Sequence, residues 1–284
     1  MEKLSVKEIV TEKIINKIKS GELVKWENAF HYTKRNAMAK HDYSFLNQLL
    51  LSGSTSEFYL TANQCKSIAI DFKGTHFDNY VTFWKILKTV DKNTGKETTI
   101  PILRYFKVTG LDTLPESEVK EKLVRKLYGD KKERNIDIDS FIVNTGITIE
   151  INGNGRACYS PSLDRISLPK MDIAKSAKRY YKTMFHELVH ATGHSTRLNR
   201  ELNTNMNDES YSKEELTAEI GASMLCNYFG IADDELDDNT ASYCKGWLTH
   251  LQNDVNLIIS ASSKADKAVK FLLGVKEEIE KEVE

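Results

Sequence analysis

The chain has 284 residues, of which 40% are hydrophobic and 29% are charged, and its formal net charge is −1 at pH 7. This composition is typical of a folded globular protein and excludes fibrous and disordered chains. No run approaches the roughly 18 apolar residues of a transmembrane helix, so we expect a cytoplasmic protein without membrane contact. Residues 1–20 mix Lys and Glu with apolar residues, which is unlike a signal peptide.

Charge distribution and cysteine content give two weaker indications. Residues 1–130 carry a net charge of +5, whereas residues 131–284 carry a net charge of −6. A basic first half can face a polyanion, although a merely solvated surface would carry the same charge. The four cysteines form no Cys-x-x-Cys pair, and we expect all of them to be buried free thiols.

Four helices and one β-hairpin are predicted in the first half. The helices are expected over residues 5–21, 43–51, 61–73 and 117–128, and the hairpin strands over 79–90 and 98–109. Capping boxes begin the first and third helices, where Ser5 pairs with Glu8 and Thr61 with Gln64. Aromatic and β-branched residues fill both hairpin strands, and residues 91–95 between them have the composition of a turn.

The second half is predicted to be mainly helical after three short strands. The strands are expected over 148–151, 157–159 and 165–168, and the helices over 138–145, 174–192, 212–229, 240–261 and 264–281. We interpret the strand 165–168 as an edge strand that could pair with an extended substrate. The chain is therefore predicted to be α+β, with a small helix and β-hairpin domain over 1–130 and a mainly helical domain over 131–284.

The sequence from His186 to His190 reads His-Glu-Leu-Val-His, an HExxH motif. Two histidines four residues apart lie on one helix face, so both imidazoles can bind one metal ion, zinc or another divalent metal such as manganese. Glu187 beside them is assigned the catalytic role of general base. The alternative is a pair of buried structural histidines. The apolar neighbours of the motif indicate a buried helix that carries the pair into the core.

The third metal ligand has more than one candidate. A metzincin would carry a histidine six positions after His190, but Thr196 stands there, and His194 lies just beyond the helix end. Glu215 and Glu219 share one face of the next predicted helix. We expect Glu215 to bind the metal and Glu219 to support a ligand imidazole, with the reverse assignment as an alternative. Either glutamate taken alone could be a solvated helix acid.

Residues 183–200, together with the segments 157–169, 211–219 and 243–254, resemble the ArdC-type antirestriction proteins of conjugative plasmids and phages. The resemblance covers residues 138–270 and implies a zincin-like, gluzincin-type metallopeptidase domain. It also implies a single-stranded DNA-binding domain in the first half and a role in protecting incoming DNA from host restriction. A protein of the host restriction machinery would then be a candidate substrate.

In the first half the resemblance is looser. It is carried by Trp26, Asn36, Tyr43, Asn47, Thr61 with Gln64, and Lys73-Gly74. The sequence departs from the family pattern in two places. Phe45 stands where a glycine is expected, and residues 105–109 end the second hairpin strand differently.

The hairpin also has the ingredients of a single-stranded DNA site, apart from any resemblance. Aromatic rings can stack on bases and basic side chains can neutralise phosphates. The candidate DNA-binding residues are Trp84, Lys85, Lys88, Arg104, Tyr105 and Lys107, with Phe106 as a further ring. The alternative is a core sheet with lysines on its solvated face.

A second alternative concerns the function of the whole chain. It is a DNA-coating protein whose metal site is structural or non-proteolytic.

Overall fold

The computed structural model describes residues 5–20, 34–39, 42–90, 96–129, 137–152, 155–202, 209–231 and 254–275. The chain divides into two compact units, with the described residues up to 129 in the first and those from 137 onward in the second. Helices and sheets occur in both units, which confirms the predicted α+β class. Residue 130, the predicted domain boundary, lies outside the described residues. None of the described helices is long and apolar enough to cross a membrane.

The first unit contains a four-stranded sheet and four helices among its described residues. They are α1 (Val6–Lys19), β1 (Arg35–Asn36), α2 (Phe45–Leu50), β2 (Phe58–Thr61), α3 (Ala62–Ser67), β3 (Asn79–Val90), β4 (Glu97–Gly110) and α4 (Glu118–Gly129). The sheet order is β1-β2-β4-β3. The predicted hairpin is confirmed as β3 and β4, paired from Asn79 opposite Val108 to Val90 opposite Glu97. Both predicted capping boxes are present.

Most residues that carry the resemblance in this unit have structural roles. Asn36 and Gln64 are buried and exchange two side-chain hydrogen bonds of 3.3 Å. Asn47 Nδ2 donates to the Thr82 carbonyl at 2.9 Å, and Asn47 Oδ1 accepts from the Thr82 N–H at 2.7 Å. Asn47 thereby provides hydrogen-bond partners for the backbone N–H and C=O of Thr82 on the edge strand β3. Phe45, where the family pattern expects glycine, is fully buried in the core; Trp26 lies outside the described residues.

The second unit contains a three-stranded sheet and four helices among its described residues. They are α5 (Ile138–Asn144), β5 (Thr148–Asn152), β6 (Cys158–Ser160), β7 (Arg165–Pro169), α6 (Ala177–Thr192), α7 (Glu209–Tyr228) and α8 (Leu257–Leu272). The sheet order β5-β7-β6 shows that the predicted edge strand 165–168 is wrong, because β7 lies in the centre. Ile166 and Leu168 on β7 are fully buried, and the hairpin turn places β6 at the edge instead.

Two further predictions about the second unit fail in part. A helix break was expected between residues 261 and 264, but α8 continues through it, because Ser262 is buried on the same stripe as Ile258 and Ala265. Residues 240–253 and 276–281 of those predicted helices lie outside the described residues.

Cys158 on the edge strand is exposed rather than buried. Cys65 and Cys226 are buried as expected, and Cys244 lies outside the described residues.

Candidate metal centre

Helix α6 presents His186 and His190 on the same side, one turn apart. The helix begins at the N-cap Ser176, whose hydroxyl accepts from the Arg179 N–H, and ends at Gly193. The ring centroids of the two histidines lie 4.6 Å apart, and their Nε2 atoms are separated by 3.0 Å. Both imidazoles are therefore directed at a common point. Their apolar neighbours Met184, Phe185, Leu188 and Val189 are buried and fix the orientation of the helix.

Glu215 on α7 joins the two histidines at this point. Its Oε2 atom lies 3.6 Å from His186 Nε2, and its Oε1 atom lies 3.4 Å from His190 Nε2. Each of the three residues offers a ligand atom, and these atoms lie within 4.8 Å of one another. Two imidazole nitrogens and one carboxylate oxygen are the protein ligands of His₂Glu zinc sites, so the donor set fits a divalent metal.

A second layer of carboxylates lies behind the histidines. His186 Nδ1 lies 3.4 Å from Glu219 Oε1, and His190 Nδ1 lies 3.3 Å from Glu214 Oε1. Glu219 thus sits in the supporting position that the sequence favours for it, and Glu215 sits on the shared side. The choice of ligand stays a prediction. Glu214 was missed, although its position next to Glu215 was the available signal.

The buried charges of the centre perturb one another. Burial lowers the pKa of His186, but the nearby carboxylates of Glu215 and Glu219 outweigh it and raise this pKa to about 10. Burial raises the pKa of Glu215, but the nearby imidazoles of His186 and His190 prevail and hold this pKa below its ordinary value. A cation would compete with protons for these imidazoles, because a histidine must be neutral to bind a metal.

Glu187 lies outside this donor set, although it follows His186 directly. Its side chain is buried, and its Oε2 atom accepts a hydrogen bond of 2.7 Å from the backbone N–H of Tyr159 on the edge strand β6. The Tyr159 hydroxyl donates to Asp164 Oδ1 at 2.8 Å. Burial and the bond to Asp164 raise the pKa of Tyr159 to about 12. The carboxylate of Glu187 is therefore positioned by the sheet and not by the metal donors.

The hairpin β3–β4 separates the predicted DNA-binding residues onto two faces. Directly opposed residues of an antiparallel pair share a face, and faces alternate along each strand. One face, here called the aromatic face, carries Tyr80, Trp84, Lys88, Tyr105 and Lys107. The opposite face carries Lys85 and Arg104, with Phe106. The six predicted residues therefore do not form a single surface.

On the aromatic face, exposed rings lie next to lysines. Trp84 is 44% exposed and Tyr105 is 39% exposed, which argues against the alternative of a core sheet. Tyr80, which the sequence did not single out, lies 5.6 Å from Tyr105 between ring centroids. Lys13 of α1 places its Nζ atom 3.9 Å from the centre of the Tyr80 ring. The alternation of strand residues was the signal that could have identified Tyr80.

Comparison with known proteins gives the family. A model described as zincin-like metallopeptidase matches residues 136–264, and a model for the N-terminal domain of anti-restriction factor ArdC matches residues 5–108. Two crystal structures of antirestriction protein ArdC from plasmid R388, metal-free and Mn(II)-bound, are 29% and 28% identical to this chain. Each alignment covers 96% of this chain and 98% of that chain, with a TM-score of 0.71. This chain is an ArdC-type protein.

The relatives also include much longer proteins. Two DNA primases TraC from Escherichia coli are 28% and 27% identical over 94% of this chain, which spans 27% and 20% of their lengths. This ArdC-type chain therefore spans about a quarter of those relatives. The protein y4eC of Sinorhizobium fredii is 30% identical over 140 residues, or 49% of this chain and 45% of y4eC. The resemblance inferred from the motifs is confirmed at the level of the family.

Proposed function

We propose that this ArdC-type chain protects the incoming DNA of a mobile element from host restriction. In this proposal the second unit carries a divalent-metal peptidase site and the first unit binds single-stranded DNA. One observation carries the proposal. The donor atoms of His186, His190 and Glu215 lie together, whereas Glu187 lies outside this donor set and accepts a hydrogen bond from the Tyr159 N–H. Among the residues that the structure describes, three donors meet, and three protein donors are typical of catalytic zinc sites, whereas structural sites use four.

The residues of the second unit divide the chemistry between them. A divalent ion at the three donors, zinc or manganese, would supply Lewis acidity toward a carbonyl oxygen and toward water. Glu214 and Glu219 lie beside the Nδ1 atoms of the two imidazoles, whose Nε2 atoms face the shared point. Glu187 is the proposed general base, and because Tyr159 holds its Oε2, we assign proton transfer to its Oε1. The proposed substrate is a protein of the host restriction machinery.

The first unit supports DNA binding through the aromatic face of the hairpin. Trp84 and Tyr105 offer exposed rings for stacking, and Lys88 and Lys107 lie on the same face to neutralise phosphates. Stacking on aromatic side chains tolerates any base, because every base has a π-face. We therefore propose binding of single strands with little sequence preference. Lys85 and Arg104, on the opposite face, are assigned a secondary role.

The test uses plasmid transfer into restricting and non-restricting recipient cells. The full chain is compared with Glu187→Gln, which keeps the shape of the side chain and removes the base. We expect the variant to retain its metal, measured by elemental analysis, and to lose the protection that the parent gives in restricting recipients. Transfer into non-restricting recipients is the control and should be equal for both proteins.

Two other outcomes would redirect the proposal. Full protection by Glu187→Gln would show that hydrolysis is not the function and would favour a DNA-coating protein with a structural or non-proteolytic metal site. In that case a Trp84→Ala/Tyr105→Ala variant should lose protection. Absence of metal from the parent protein, after reconstitution with zinc or manganese, would remove the peptidase half of the proposal and leave the DNA half.

A further inference from the structure

Arg200 makes an extended set of contacts next to the metal centre. Its Nε and Nη2 atoms donate to the two carboxylate oxygens of Glu214, at 3.0 and 2.7 Å. Its Nη1 atom donates to Thr192 Oγ1 at 2.7 Å, and Nη2 also donates to the Val189 carbonyl at 2.7 Å. The side chains of Arg200 and Glu214 are only 6% and 5% exposed. The guanidinium therefore ties Glu214 of α7 to the last turn of α6.

This fixation determines what Glu214 can do for His190. With both oxygens held by Arg200, Glu214 cannot rotate away, and its Oε1 atom stays 3.3 Å from His190 Nδ1. A carboxylate at Nδ1 favours the tautomer with its hydrogen there and leaves the Nε2 lone pair for a metal. His190 Nε2 is the atom that meets His186 and Glu215. Arg200 thus reaches the metal donor through one intermediate residue.

We propose that Arg200 is a positioning residue that sets the metal affinity of this site through Glu214 and His190. The inference rests on the proposed metal site and adds to it a residue whose hydrogen bonds go to Glu214, Thr192 and Val189 and not to the three donor side chains. Arg197, three residues earlier in the same loop, provides a natural comparison. It forms a similar two-pronged ion pair, with Asp164, and its Nε donates to the Ala191 carbonyl at 2.7 Å.

The experiment measures Zn²⁺ affinity of the full chain by competition with a chromophoric chelator at one fixed pH, and repeats it with Mn²⁺. Arg200→Lys keeps the charge but cannot hold both oxygens of Glu214. We expect it to weaken Zn²⁺ binding by about 10-fold or more, since supporting residues of metal ligands typically contribute 10–100-fold. Glu214→Gln should give a similar loss. Arg197→Lys is the matched control and should bind Zn²⁺ like the parent.

Additional measurements separate positioning from folding. The double variant Arg200→Lys/Glu214→Gln should be no weaker than the weaker single variant, because both changes interrupt one pathway. Thermal unfolding of the metal-stripped proteins reports stability without the ion. The absorption spectrum of the Co²⁺-loaded protein reports the ligand geometry, which should change in the Arg200 and Glu214 variants and not in Arg197→Lys.

Each outcome decides the matter. Parent-like Zn²⁺ affinity and Co²⁺ spectra in Arg200→Lys and Glu214→Gln would overturn the inference and leave a purely structural ion pair. An equal loss in Arg197→Lys would also overturn it, since the effect would belong to the whole loop. A parent protein that binds neither Zn²⁺ nor Mn²⁺ would instead refute the metal site of the proposed function, and this inference with it.

Discussion

The helix pair α6–α7 and the hairpin β3–β4 arrange their candidate functional side chains in opposite ways. Between the helices, the charged groups are held by partners in the interior, as the nearly buried pair Arg200 and Glu214 shows. On the hairpin, large side chains face solvent, and Ile86 is 62% exposed. The first arrangement fixes one geometry before any ligand arrives. The second provides exposed area for a ligand of variable shape, which would suit the single strands of the proposed function.

The largest expected effect removes the buried centre itself. The variant His186→Ala/His190→Ala loses two of three predicted donors, so we expect it to retain no stoichiometric zinc or manganese after desalting. Ligand binding stabilises a protein by about 2.7 kcal/mol at 100 times the dissociation constant, so the metal-dependent rise in Tm should vanish as well. Elemental analysis and thermal unfolding with and without metal measure both effects. Stoichiometric metal in this variant would show that the site lies elsewhere.

Two of the glutamates of α7, Glu215 and Glu219, sharpen the same assignment. Glu215 faces both Nε2 atoms, whereas Glu219 faces only His186 Nδ1. We expect Glu215→Ala to weaken Zn²⁺ binding more than Glu219→Ala, because one removes a donor and the other a support. The same chelator competition ranks them. A larger loss in Glu219→Ala would exchange their roles.

The close contact between α6 and α7 offers a second way to disrupt the buried site. A Cβ atom at Gly221 of α7 would lie 2.7 Å from Val189 Cγ2 of α6, so the helices touch there without room for a side chain. We expect Gly221→Ala to lower the free energy of unfolding by about 1–3 kcal/mol through overpacking, despite the better helix propensity of alanine. Urea unfolding measures the loss.

Val189→Ala provides the rescue for that substitution. It removes the methyl groups that the new Cβ would meet, so the double variant should be more stable than the sum of the two single effects predicts. If Gly221→Ala were as stable as the parent, the helices would have more space than the observed approach allows. Zn²⁺ affinity should follow stability through this series, because His186 and Glu215 belong to different helices.

The sequence points to candidate residues for the buried site because their spacings lie mostly within single helices. Residues four apart on a helix share a face, so His186 can be paired with His190, and Glu215 with Glu219, before the fold is known. Arg200 could not be predicted, since its contact with Glu214 depends on where the residues just beyond α6 lie relative to α7. Helix spacing indicates which residues are neighbours on one element, whereas packing between elements determines which of them meet.

The sheets were predicted less well for a related reason. The hairpin and its strand bounds could be recognised from composition, but Trp84 and Arg104 were grouped although they point to opposite faces. The central position of β7 depends on its parallel pairing with β5, and β6 lies between these two strands in the sequence. Local patterns specify that a strand forms, while its neighbours in the sheet are decided by burial of Ile166 and Leu168.

The faces of the hairpin lead to a prediction of intermediate size. We expect Trp84→Ala and Tyr105→Ala each to weaken binding of a labelled single-stranded oligonucleotide by about 1–3 kcal/mol, the usual contribution of base stacking. Arg104→Ala, adjacent in sequence but on the opposite face, is the matched control and should have a smaller effect. Fluorescence anisotropy of the full chain provides the affinities. Equal losses for Tyr105→Ala and Arg104→Ala would show that both faces contact DNA.

Salt dependence distinguishes the lysines of the aromatic face from its rings. Lys88→Ala and Lys107→Ala should each reduce the slope of log affinity against log salt, because each removes a phosphate contact worth about 0.7 of a counterion on a single strand. Trp84→Ala should weaken binding at every salt concentration and leave the slope unchanged. An altered slope in Trp84→Ala would mean that its ring positions a cation and does not stack on a base.

The smallest expected effect concerns the ion pair that supports the edge strand. The hydrogen bond from Arg197 lowers the pKa of Asp164, and the Tyr159 hydroxyl and His194 on the same side act in the same direction. Because the folded pKa lies below the unfolded one, this contribution to stability is present above the unfolded pKa and is lost as pH falls through the folded pKa. Asp164→Asn removes the charge and should lower Tm slightly at neutral pH.

The difference in Tm between the parent and Asp164→Asn should therefore shrink as the pH is lowered through the acidic range in which aspartate titrates. Thermal unfolding of the metal-stripped proteins at a series of pH values measures it, and removal of the metal keeps pH-dependent metal binding out of the comparison. The same comparison, made between two proteins that both carry His194→Gln, measures the contribution of the His194 imidazole. Its Nδ1 atom lies 3.8 Å from Asp164 Oδ2. A Tm difference that stays constant with pH would show that Asp164 acts through its shape and hydrogen bonds, not its charge.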